Sequence, residues 1–165
     1  MKNILINQYR QIENGGRHVL FKKLKRLIII IFVDFTLYIF AVPVVIFVRL
    51  ISQIKLIRFG ILSVSVIGDF VFDTENYLSD RNLEKYNSLD IFGYHGDFIS
   101  NRQWDLMVRR NLKINKFVKY LNKINDLIYG GGKHSIIIRP YGVAISSIDY
   151  KDVLFHTKTQ INFTK

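Results

Sequence analysis

The sequence predicts an α/β fold, an open sheet with covering helices preceded by an apolar N-terminal helix, and three observations carry that reading. The aliphatic stretch "IKLIRF", Ile54–Phe59, runs through a glycine-bearing turn into residues with helical spacing. A second strand-like stretch lies at Leu89–Tyr94, and amphipathic helical spacing follows it. Strands that alternate with helical segments in this way imply crossover units and a parallel, Rossmann-like sheet. The chain has 165 residues, 49% of them apolar, which is room for about one domain with an ordinary core. The expected division is a basic, apolar, membrane-associating segment at 1–53 and a partial α/β lobe at 54–165.

Composition narrows the chemistry. Twenty-four Lys and Arg against thirteen Asp and Glu give a net charge of +11, which favours polyanionic partners: anionic lipid, a phosphorylated small molecule or nucleic acid. Cysteine is absent, which excludes disulfide frameworks, thiolate nucleophiles and cysteine-based zinc sites. Nucleic acid is the least favoured partner, since the aromatics of the basic second half fall on the apolar helix face and form no exposed stacking stripe.

The first element is the apolar run Leu27–Val48, 22 residues long, enough to cross a bilayer core of about 30 Å as a helix. Asp34 opposes a full span, because a carboxylate near the bilayer centre costs roughly 2.5 to 3.5 kcal/mol. Pro43 opposes it too, since it removes a helix hydrogen bond and favours a kink. Lys22, Lys23, Lys25 and Arg26 precede the run, and Arg49, Lys55 and Arg58 follow it, so both ends suit one anionic membrane face. This pattern favours an interfacial or re-entrant anchor on the cytoplasmic side of the cell membrane over a true span, with a buried helix as the remaining alternative.

The second element is the strand, turn and helix at Leu56–Leu78, "LIRFGILSVSVIGDFVFDTENYL". Gly60 is expected to close the strand and Gly68 to turn the backbone tightly. Asp69 falls where an N-cap would accept from the first-turn N–H groups. A helix N-terminus after a glycine turn can hold an anion or a sugar hydroxyl, but the turn lacks both the G-x-G-x-x-G and the G-K-[ST] spacings, so a plain cap competes with a ligand site.

At this point the chain resembles a family of bacterial glycosyltransferases. The motifs are "LIRFG" at Leu56–Gly60, "VIGDF" at Val66–Phe70 and "DTENYL" at Asp73–Leu78, beside the family's "LIRFG", "RIGHF" and "TELYL". The similarity runs from about Phe21 onward. It implies the N-terminal half of a two-lobed GT-B-type enzyme, with the nucleotide-sugar donor bound as substrate by a C-terminal lobe. The chain would then be the acceptor-side lobe of an enzyme that transfers a sugar to a cell-surface glycan precursor, truncated before the donor lobe. Val66 and Asp69 replace the family's usual arginine and histidine. Asp69 keeps base chemistry toward a sugar hydroxyl and loses proton donation at rest. The resemblance makes Asp69 the candidate catalytic base and Arg58, Gly60 and Gly68 the residues that shape the substrate turn. The alternative function is a small basic membrane-associated interaction or remnant protein without enzyme activity, with a partner protein or donor-binding lobe elsewhere.

In the second half, His95 ends the second strand, where it is either an ordinary loop histidine or part of the same cleft. Residues 100–128 show one long or two consecutive amphipathic helices, with Trp104, Met107, Val108, Leu112, Phe117, Leu121, Ile124 and Ile128 on the apolar side. Asn101 opens them, either as an N-cap or as a group that orients a sugar hydroxyl. Arg109, Arg110, Lys113, Lys116, Lys119 and Lys123 read as a solvated basic face. "GGGK" at Gly130–Lys133 lacks the phosphate-loop spacing and reads as a flexible connector. His134–Gly142 is a further candidate strand. No D-x-D motif occurs, so neither a metal nor a bound cofactor is expected.

Overall fold

The computed structural model describes residues 2–85, 87–96, 98–138 and 152–161. The chain falls into two compact units, 1–40 and 41–165. The first contains most of helix α1 (Lys2–Leu50), which runs without interruption through Pro43. Within unit 1 the large apolar side chains Leu27, Ile28, Ile29, Ile31, Phe32, Val33, Phe35, Ile39 and Phe40 are all exposed. Thr36 donates its hydroxyl to the carbonyl of Phe32 at 2.8 Å, so it adds no unsatisfied group to the apolar stretch.

The second unit is an α/β sandwich on a four-stranded parallel sheet of order β3-β2-β1-β4. Its strands are β1 (Leu56–Ser63), β2 (Ser88–His95), β3 (Lys113–Ile114) and β4 (Ser135–Ile136). Between them lie α2 (Ile67–Glu84), α3 (Arg102–Asn111) and α4 (Val118–Leu127), and α5 (Val153–His156) comes last. The order follows from right-handed crossovers. Two of them carry the chain from β1 to β2 to β3 with α2 and α3 on one face. The third returns it across β1 to β4, with α4 on the other face.

Side chains confirm the two layers. Leu62 and Phe92 form a core with Phe70 and Tyr77 of α2 and Met107 and Val108 of α3. On the opposite face, a Cβ at Gly93 would stand 3.1 Å from the backbone nitrogen of Lys119 and 3.3 Å from the Cβ of Val118, so α4 lies close against β2. Ala41, Val45 and Val48, from the last part of α1, are buried within this second unit.

The strand glycines do a different task from the one expected. Gly60 does not end β1 but sits within it, directly opposite Phe92. The Phe92 ring lies over Gly60: a Cβ there would be 2.4 Å from the ring. On the other face Gly93 is opposite Ile61, so each glycine accommodates a bulky cross-strand neighbour. Gly68 is the second residue of α2 and has open space around it, so no tight glycine turn exists. The N-cap of α2 is Val66; Asp69 is in the first turn instead.

Residues 100–128 are interrupted by β3, two residues long, where two helices or one were expected to be contiguous. Such a short strand leaves too little alternation to be read from sequence. The "GGGK" stretch is a 3₁₀ turn, Gly131–His134, in which Gly131 is buried against Asn125 and Arg49. It is therefore packed and not a loose connector. Of the candidate strand His134–Gly142, Ser135–Ile136 pairs with β1, and the part beyond Ile138 lies outside the described residues.

The two glycines predict opposite responses to alanine. Gly60→Ala should destabilise by about 1 to 3 kcal/mol, since the Phe92 ring must move. Gly68→Ala should stabilise by about 0.5 to 1 kcal/mol, because the site is open and helical. Urea titration of both variants checks this; equal effects would contradict the placement.

Candidate functional site

The strand order reverses between β1 and β4, and in open parallel sheets the crevice at the carboxyl ends of the strands beside such a reversal is where ligands bind. A cavity of about 380 Å³ lies there. Ser63 and His95, the last residues of β1 and β2, line it, with Asp73 from the second turn of α2 and Asn122 and Asp126 from α4. Ser135 and Ile136–Ile138 form its β4 side, and Ile61 contributes from β1.

Hydrogen bonds hold the α4 wall. Asn122 Nδ2 donates to Asp126 Oδ2 at 3.1 Å, and Ser135 Oγ lies 3.3 Å from Asp126 Oδ1. The buried amide of Asn125 donates to Ser135 Oγ and to the Gly131 carbonyl, both at 3.0 Å. Behind it, Arg49 donates to the Asn125, Ile128 and Tyr129 carbonyls at 2.8 to 2.9 Å, capping the end of α4 with a cation. Arg49 is thus an internal cap; the membrane-flank role expected for it is not where its guanidinium points.

Carboxylates, an imidazole, an amide and two hydroxyls beside an isoleucine wall form a surface suited to a polyhydroxylated ring. The acceptors take sugar hydroxyl protons and the aliphatic wall packs against C–H faces. Among the described residues no group of three or more His, Asp or Glu is arranged to hold a metal ion.

The expected site residues separate into two edges of the sheet. His95 lines the cavity. Asp69 does not line it, but stands four residues before Asp73, on the same face of α2 and one turn closer to its N-terminus. Gly68 lines a separate, largely apolar cavity of about 530 Å³ between α2 and α5. Asn101 caps α3, its side-chain oxygen accepting from the Trp104 N–H at 2.9 Å. Gly60 is spent on Phe92, as above.

Arg58 belongs to the amino-end half of the sheet. Its guanidinium grips Asp90 on the adjacent strand by two bonds, 2.9 and 2.6 Å. Tyr77 donates to the same carboxylate at 2.5 Å, and so does Arg81. The Asp90 side chain is only 2% exposed. Burial pushes its carboxyl up, but hydrogen bonds from Arg58 and Tyr77 and the Arg58 charge outweigh this and hold it below the usual carboxylate range. Burial, with the hydrogen bond to Asp90, pushes the Tyr77 phenol above its ordinary value. A second cluster, in which Tyr94 donates to Asp105 and Arg109 pairs with that carboxylate at 2.9 Å, ties β2 to α3. Both are framework clusters.

Sequence reasoning missed Asp73, Ser63, Asn122, Asp126 and Ser135. The spacing of Asp69 and Asp73 was a usable signal for the first; the α4 residues depend on a crossover that no local pattern reveals. No protein-family model, curated protein or solved structure matches the chain.

The Asp90 cluster predicts a pH response. A depressed carboxyl contributes stability that is complete above its unfolded value, about 4, and is lost as pH falls through the lower folded value. Asp90→Asn should cost about 2 to 4 kcal/mol at neutral pH and should flatten the fall in stability below about pH 4. Urea midpoints measured from pH 7 to 2 on both proteins check it.

Proposed function

We propose that the second unit is a glycosyltransferase-like, acceptor-side lobe of GT-B type, and that α1 holds it at the cytoplasmic, anionic face of a cell membrane. The cavity at the switch point between β1 and β4 carries this reading, because it collects hydroxyl-binding groups where an open parallel sheet presents ligands. In this reading His95, Asp73 and Asp126 bind acceptor hydroxyls. The base is a carboxylate on the exposed turn of α2, Asp69 by the motif resemblance. It accepts the proton of the attacking hydroxyl as the bond to the sugar's anomeric carbon forms and that carbon's bond to the donor's diphosphate breaks, the nucleoside diphosphate leaving into the donor lobe. The nucleotide-sugar donor is a substrate held by a donor lobe.

The membrane part rests on α1. Its exposed apolar side chains cover nearly the full circumference between Leu27 and Phe40, so a helix lying flat would leave many of them in water. Insertion is the better fit. Eleven of the fourteen residues Leu27–Phe40, the apolar part of α1 outside the second unit, are Leu, Ile, Phe or Val. At about 0.3 to 0.6 kcal/mol each they contribute roughly 3 to 7 kcal/mol, which matches or exceeds the roughly 2.5 to 3.5 kcal/mol cost of Asp34. Lys22, Lys23, Lys25 and Arg26 supply the anionic-lipid contact at one end.

Saturation-transfer NMR on the full chain in lipid nanodiscs, with a panel of hexoses and N-acetylhexosamines, tests the site. One or more sugars should take up signal, and His95→Ala and Asp126→Ala should each weaken binding at least about fivefold, the loss of one hydrogen bond. With a donor lobe supplied, Asp69→Asn should abolish transfer and leave sugar binding intact. No sugar binding by any of the panel, or full transfer by Asp69→Asn, contradicts the corresponding assignment.

A further inference from the structure

We propose that the second unit carries its own bilayer-docking patch at the end of α1, distinct from the inserted part of the helix. Phe47, Leu50, Ile54, Leu127 and Tyr129 would enter the interface of an anionic membrane, with Lys55 and Lys133 reaching its headgroups. The proposal rests on the reading that α1 is inserted.

The patch is assembled by Arg49. Its guanidinium collects the carbonyls of Asn125, Ile128 and Tyr129, which draws the end of α4 to the last turn of α1. Gly131 leaves the necessary room: a Cβ there would lie 2.7 Å from the Arg49 guanidinium and 2.2 Å from the Asn125 carbonyl oxygen. Lys133 is held alongside, its Nζ donating to Ser52 Oγ at 3.2 Å in the turn after α1. Lys55 reaches Asn87 Oδ1 at 2.7 Å from the start of β1.

Apolar side chains stand out from this cluster. Leu50 is 74% exposed, Ile54 88% and Leu127 70%, and Tyr129 is fully exposed. Large aliphatic groups left in water around a tyrosine and two lysines form the composition of a membrane interface, where the tyrosine ring sits at headgroup level and lysine stems extend to phosphate. Two features select a bilayer over a second copy of the chain. The patch continues the exposed apolar surface of α1 through Val44, Ile46 and Phe47. It is also cationic in a chain of net charge +11, so two copies would repel.

The chain has no cysteine, so single cysteines can report depth. Nitroxide labels at Leu127→Cys, Tyr129→Cys and Phe98→Cys, the last beyond β2 at the opposite edge of the sheet, are introduced singly into the full chain. Each protein is placed in vesicles of phosphatidylglycerol and phosphatidylcholine. Electron paramagnetic resonance then compares relaxation by oxygen, which concentrates in lipid, with relaxation by a water-soluble nickel chelate. The proposal expects labels 127 and 129 to favour oxygen and label 98 to favour nickel, with the difference reduced in pure phosphatidylcholine. If the protein floats with the vesicles but labels 127 and 129 behave like label 98, the patch is overturned and α1 insertion stands. If the protein does not float, both are overturned. Spin–spin broadening between copies at position 129 would assign the surface to self-association and overturn the bilayer as its occupant. An unchanged difference in pure phosphatidylcholine would remove Lys55 and Lys133 from their headgroup role.

Discussion

Asp90 keeps a charge at 2% exposure inside a parallel sheet, and a buried carboxylate costs several kcal/mol unless partners surround it. Its three partners come from two elements: Arg58 on the neighbouring strand, and Tyr77 and Arg81 one turn apart on α2. Satisfying one carboxylate therefore fixes the register of β1 against β2 and the rotation of α2 above them. With that rotation set, Tyr77 meets Phe92 edge to face at 4.6 Å, and Phe92 covers Gly60. Asp73, one turn before Tyr77 on the same helix, is brought to the cavity.

The result is a division of labour between the two ends of the sheet. Charged side chains around Asp90 at the amino end pair internally and hold the layers together, as does the Tyr94–Asp105–Arg109 cluster beside the end of β2. Ser63, His95 and the α4 polar groups line an open cavity. The proposed docking patch belongs with the amino end, because Ile54 and Lys55 precede β1 and Tyr129 follows α4. On that proposal, a unit seated on lipid by that end would turn its cavity toward the aqueous phase.

Much of the architecture was legible in the sequence. Hydrophobic period located β1, α2 and β2 to within a few residues, since each is long enough to express a pattern, whereas of α1 only the apolar run Leu27–Val48 was marked and the helix begins at Lys2. The open α/β sheet followed from their alternation, but β3 was not among the expected strands. What escaped had non-local causes. Gly60 looked like a strand terminator because its reason, the Phe92 ring, lies 32 residues away on β2. Arg49 and Arg58 looked like flanking membrane charges because their acceptors, the end of α4 and Asp90, are equally remote in sequence. The cavity was only partly visible. His95 could be placed at a strand end, whereas Asn122, Asp126 and Ser135 join it only through the crossover to β4.

The central claim is that the carboxyl edge binds ligand and the amino edge is framework. Native-state hydrogen exchange on the full chain in nanodiscs, with and without a saccharide that binds it, tests this most directly. The account predicts slowed exchange at Ser63, His95 and Ile136–Ile138 on saccharide addition, and unchanged exchange at Arg58 and Asp90. Slowing confined to Arg58, Asp90 and the end of α2 would contradict it.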